Sequence, residues 1–151
     1  MQPRDQGEGR MPVRSAFTII ETTITLCILS VLSAIAMPLA GKLIDRVRVR
    51  GAVVEVEAVF GSARHIAISR SEQTDVSIDT AARAIHVSVG ADTVRSAELG
   101  AEHDVQIGAT RTRMTYSPTG VAYGASNLSV FVQRNEAVDT VFVSRLGRLR
   151  H

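Results

Sequence analysis

The chain has 151 residues with 17 Lys+Arg against 15 Asp+Glu, which leaves room for one modest folded domain. A single cysteine, Cys27, excludes an internal disulfide, so that domain is held by its core. The absence of tryptophan and an aromatic share of 4% argue against platforms for base or sugar stacking. Residues 1 to 50 carry seven Lys+Arg against four Asp+Glu, whereas residues 51 to 151 carry ten against eleven. The calculated pI near 9.2 therefore reflects the first third of the chain and does not mark the remainder as a nucleic-acid binder.

The first element in chain order is an apolar run over residues 17–41 whose only charge is Glu21. From Thr22 to Gly41 there is no charged residue, a length of about 20 residues that covers a ~30 Å hydrocarbon core at ~1.5 Å per residue. The hydroxyls of Thr22, Thr23, Thr25, Ser30 and Ser33 can return to the preceding helical turn, so they do not forbid insertion. Pro38 removes a backbone donor near the far end and predicts a bend there. Glu21 is the anomaly. An ionised carboxylate costs roughly 2.5–3.5 kcal/mol on insertion scales, so an acid in such a segment implies a function and a partner.

Past Gly41 the pattern becomes periodic, with Val49, Val53, Val56, Phe60, Ala63 and Ala67 on one helical face and most charges elsewhere. The helix is thus expected to continue outward over 42–70 and to stop in the polar stretch Ser69 to Gln73. Its valines are poor helix formers, so the segment depends on packing its stripe against a sheet. Residues 71–151 read as that sheet. Val76 and Ile78, then Ile85, Val87 and Val89, alternate as a hairpin. Val105 with Ile107 and Met114 with Tyr116 suggest short strands, and Ser117 to Gly120 a turn. Leu128, Val130 and Val132 lead into a turn over Arg134 to Ala137 and a last strand over Val138 to Ser144. Gly90 to Gly100 reads as loop.

Two stretches carry a family resemblance. A basic leader, Ala16, then Phe17-Thr18-Ile19-Ile20-Glu21, an apolar helix and Pro38 resemble a type IV pilin-like prepilin. Tyr116-Ser117-Pro118-Thr119-Gly120, alternating strands and Val143 to Arg150 with Gly147-Arg148-Leu149-Arg150 are similar to the GspH/FimT branch, which includes the minor pseudopilin H of type II secretion. The resemblance implies an α+β, pilin-like fold: a long N-terminal helix, membrane-spanning in its first half, packed on an antiparallel β domain. It implies a leader over 1–16 removed between Ala16 and Phe17 by the prepilin peptidase, N-methylation of Phe17, and a subunit-assembly role for Glu21 against the N-terminal amine of a neighbour. Such pairing makes physical sense, because a buried charge is tolerated when an opposite charge accompanies it. Alanine stands where the family has glycine before the cut.

The implied setting is a single-pass protein of the bacterial inner membrane with a periplasmic C-terminal domain. Its partners are other pseudopilins or pilins and the inner-membrane assembly platform. Orientation rests on the resemblance alone, since Arg4, Arg10 and Arg14 precede the span and Lys42, Arg46, Arg48 and Arg50 follow it. Met1 and Met11 both remain open as the start. A secretory signal cut after Ala36 and a plain membrane anchor stay open as alternatives, although the first leaves Glu21 unexplained.

Enzymatic signatures are missing. His65, His86, His103 and His151 show no metal-ligand spacing, and there is no Gly-x-Ser-x-Gly, phosphate loop or calcium loop, so no catalytic residue, cofactor or metal is expected. Arg145, Arg148 and Arg150 cluster near the C-terminal end, with Arg134 as a further candidate neighbour. One reading is a charged edge that discourages sheet-to-sheet aggregation. The other follows from the resemblance, in which some minor pilins bind DNA through a terminal Gly-Arg-x-Arg, and it would make the protein a DNA-uptake pilin whose arginines touch phosphates.

Overall fold

A computed structural model describes residues 17–123, 127–144, 146 and 148–150. The expected leader over 1–16 with Ala16, and also Arg145, Gly147 and His151, lie outside the described residues. The chain divides after Pro38 into two compact units. Helix α1, Ile19–Arg70, contains the dividing point, and Pro38 lies inside it without ending it.

Within the first unit every described residue is exposed, and the apolar side chains point to all sides. A helix apolar all round needs surroundings that its own chain does not supply. Four of the five expected hydroxyls return to the preceding turn: Thr22 and Thr23 donate to the carbonyl of Ile19, Thr25 to that of Glu21 and Ser30 to that of Cys27, all at 2.7–2.8 Å.

Within the second unit α1 buries Val49, Ala52, Val53, Val56, Val59, Phe60, Ala63 and Ala67. All six residues of the predicted stripe are among them. Burying a valine contributes about 1.5 kcal/mol or more. That exceeds its propensity cost of up to about 0.7 kcal/mol, so packing decides the helix. α1 stops at Arg70, followed by Ser71 in the left-handed region at φ 54°.

The strands are β1 Thr74–Asp79, β2 Ala84–Val89, β3 Asp92–Ala97, β4 Gln106–Ala109, β5 Arg113–Tyr116, β6 Ala122–Tyr123, β7 Leu128–Arg134, β8 Ala137–Val143 and β9 Leu149–Arg150, with a short helix α2, Leu99–His103, after β3. They form two antiparallel sheets, of order β3-β2-β1-β5-β6 and β4-β7-β8-β9, where the sequence suggests one. One continuous core gathers the α1 stripe with alternate residues of both sheets, including Val76, Val87, Met114, Tyr116, Val130, Val132 and Val141. The β1–β2 hairpin pairs Val76 with Val87 and Ile78 with Ile85, and the Asp79 carboxylate closes its turn by accepting the N–H groups of Ala81 and Ala82.

The stretch Gly90 to Gly100, read as loop, instead holds β3 and the start of α2. β3 is an edge strand whose strand formers, Thr93 and Val94, are adjacent and so give no alternation, and its pairing with β2 supplies what its pattern lacks. The turn at Ser117 closes as expected, with the Gly120 N–H donating to the Ser117 carbonyl at 2.8 Å.

Candidate assembly site

At the start of α1 the backbone N–H of Glu21 donates to Thr18 Oγ1 at 3.2 Å. Thr18 therefore caps the helix and Glu21 occupies its third position, where a carboxylate also faces the positive end of the helix dipole. Thr18-x-x-Glu21 is a capping signature legible in the sequence, and the reading of this segment as a membrane span passes over it. Among the described residues no cation pairs with Glu21. Phe17 is 78% exposed beside it, and Ile19, Ile20, Ile24 and Leu26 continue the uncovered apolar surface. An 18-residue window of α1 has a mean hydropathy of 2.1 with none of it buried by this chain, so the helix is long and apolar enough to cross a membrane.

In the second unit Arg134 clasps α1 to the β7–β8 turn. Its Nε donates to Asp45 at 2.7 Å, and its Nη1 donates to both the carbonyl and the carboxylate of Asp104. The Asn135 amide donates to the other Asp45 oxygen at 2.9 Å. Hydrogen bonds from Asn135 and then Arg134 hold Asp45 below the usual carboxylate range, and the bond from Arg134 does the same for Asp104. The bonds to Asp104 and Asp45 raise Arg134 in turn.

This corrects the placement of Arg134 beside the C-terminal arginines. Register pairs Arg134 with Ala137 at one end of the β7–β8 ladder and Phe142 with Arg150 near the other. Arg148 and Arg150 instead line an open cleft of about 670 Å³ with Asn127, Ser129, Phe142 and Leu146, and among the described residues no acidic one lines it.

One arrangement superficially resembles a catalytic set. The Ser96 hydroxyl lies 2.9 Å from His86 Nδ1 and 3.0 Å from Glu98 Oε1. Here the hydroxyl sits between imidazole and acid, whereas activating a serine requires the imidazole in the middle. The group joins β2 to β3 and does not form a nucleophile.

A long N-terminal helix, apolar and uncovered at its start and packed on antiparallel sheets further on, is the pilin-like α+β fold. No family model and no curated protein sequence matches the chain. Solved structures do match. The type IV minor pilin FimU of Pseudomonas aeruginosa aligns with a TM-score of 0.61 at 14% identity, over 70% of this chain and 88% of that one. A second crystal form of FimU gives 0.57 at 13% identity, over 67% and 90%. The minor pseudopilin EpsH from the type 2 secretion system of Vibrio cholerae gives 0.53 at 11% identity, over 68% and 94%. At these identities the likeness is one of fold, and the fold is that of minor pilins and minor pseudopilins.

Proposed function

We propose that the chain is a minor pseudopilin of the GspH/FimT type, a non-enzymatic subunit that primes or caps a periplasmic filament serving type II protein export. The observation that carries this reading is an apolar helix start that its own chain leaves bare, with one acid, Glu21, in its first turn. In this reading the precursor spans the inner membrane once and the prepilin peptidase removes residues 1–16 after Ala16. Phe17 then becomes the methylated N-terminus, and the Glu21 carboxylate meets the amine of a neighbouring subunit as helices bundle. Pro38 is the bend point of the bundled helix.

The reading is tested by expressing tagged Glu21→Ala with the other subunits of the filament. Insertion and leader removal are expected to persist while incorporation into sheared filaments is lost. Incorporation at the wild-type level would refute the charge pairing.

A second reading, a minor type IV pilin that captures DNA, is favoured by the cleft that Arg148 and Arg150 line with no acidic residue among the described ones. It predicts DNA binding that weakens steeply with salt and falls in Arg148→Ala and Arg150→Ala. Binding indifferent to both substitutions removes this role from the cleft.

A further inference from the structure

We propose that Glu55, Glu102 and His103 form a binding site for a divalent transition-metal ion of the zinc class. Spacing along the chain gives no hint of it, because Glu55 lies on α1 and the other two residues close α2. The fold brings one donor atom from each to within 4.8 Å of the others, with His103 Nε2 at 2.8 Å from Glu55 Oε2. Tetrahedral zinc bonds of roughly 2.0–2.1 Å place donor atoms about 3.3 Å apart, so small side-chain rotations suffice to close this set around an ion.

Three features separate this set from an ordinary ion pair. Two carboxylates converge, yet among the described residues no lysine or arginine pairs with either. Glu102 takes no part in the His103–Glu55 hydrogen bond, and two carboxylates this close repel one another, which a bound cation would relieve. Gly51, a residue that weakens a helix interior, stands where a Cβ would lie 3.1 Å from His103 Cε1 and 3.2 Å from Nδ1. The ring edge thus rests on the α1 backbone, and Nε2 is the nitrogen presented to the carboxylates.

The donor set selects the ligand. One imidazole with two carboxylates suits zinc and its neighbours, whereas calcium takes six to eight oxygens and gains little from a nitrogen. Glu55 and His103 are half-buried and Glu102 is exposed, which leaves the outer coordination positions open to water. A bound ion would tie α2 to α1, so the site strengthens the second unit and does not depend on the filament reading.

The test uses the full-length chain in detergent, stripped with chelator and titrated with zinc chloride by calorimetry, with calcium chloride in parallel. One zinc per chain is expected, with calcium at least tenfold weaker. His103→Gln should abolish the site and Glu102→Gln should weaken it at least tenfold. Because Glu102 is exposed and bonds no other side chain in the set, its variant keeps the fold, which circular dichroism verifies. Zinc should raise the thermal midpoint of the wild type and leave that of His103→Gln unmoved. No saturable zinc binding, binding indifferent to Glu102→Gln or His103→Gln, or calcium binding as tight as zinc would each overturn the proposal.

Discussion

The Glu21 N–H donates to Thr18 Oγ1 at 3.2 Å, so the one acid of the apolar segment is also the third residue of its helix. Two roles meet at this position and can be separated. Glutamine serves the third position of a capped helix as glutamate does but carries no charge. Glu21→Gln should therefore keep the helix start, insertion and leader removal while lowering filament incorporation at least tenfold, read by immunoblot of sheared filaments. Undiminished incorporation would assign Glu21 to the cap alone. Thr18→Ala makes the converse change, removing about 1 kcal/mol of capping while the charge stays, and should leave incorporation close to normal.

The clasp at Arg134 makes a prediction about pH. Asp45 and Asp104 titrate below their ordinary value near 3.8 in the folded chain. Their contribution is therefore complete above that value and is lost as pH falls through the lowered folded values. Arg134→Ala should lower the urea midpoint clearly at pH 7 and much less at a second, acidic pH lying below those lowered values. Equal losses at the two pH values would show that Arg134 acts by packing and not by charge.

Gly120 closes the Ser117 turn at φ 75°, and a Cβ there would approach Ile68 Cδ1 to 2.7 Å. The left-handed conformation alone costs an L-residue roughly 1–2 kcal/mol. Gly120→Ala should destabilise the second unit by about that amount or somewhat more, measured by urea unfolding. A neutral result would mean that the turn adopts another conformation in solution.

Phe60 is fully buried in the stripe that α1 presents to both sheets. Phe60→Ala should cost about 3–5 kcal/mol, and Val54→Ala, on the exposed side of the same helix, well under 1 kcal/mol. Similar costs in the two variants would contradict the face assignment.

What was legible in the sequence was whatever a local period controls. The spacing from Val49 to Ala67, the alternation in β1, β2 and β7, and the proline and glycine at the Ser117 turn each specify their element within a few residues. β3 was not legible, because Asp92-Thr93-Val94-Arg95-Ser96-Ala97 becomes a strand by pairing with β2 and not by its own pattern. The division into two sheets depends on which strands pair, a non-local outcome. The same holds for Arg134 meeting Asp45, 89 positions away. The triad of Glu55, Glu102 and His103 is hidden for that reason too, since two of its three residues lie on a five-residue helix that no periodicity announces.

The central claim is that Glu21 is retained four residues inside the mature N-terminus so that a neighbour can supply its counter-charge. Intact mass spectrometry of the protein recovered from membranes of its native host tests this most directly. The expected mature chain begins at Phe17 and carries one added methyl group, about 14 Da, on its amine. A chain beginning at Met37, or one that keeps residues before Phe17, would contradict it.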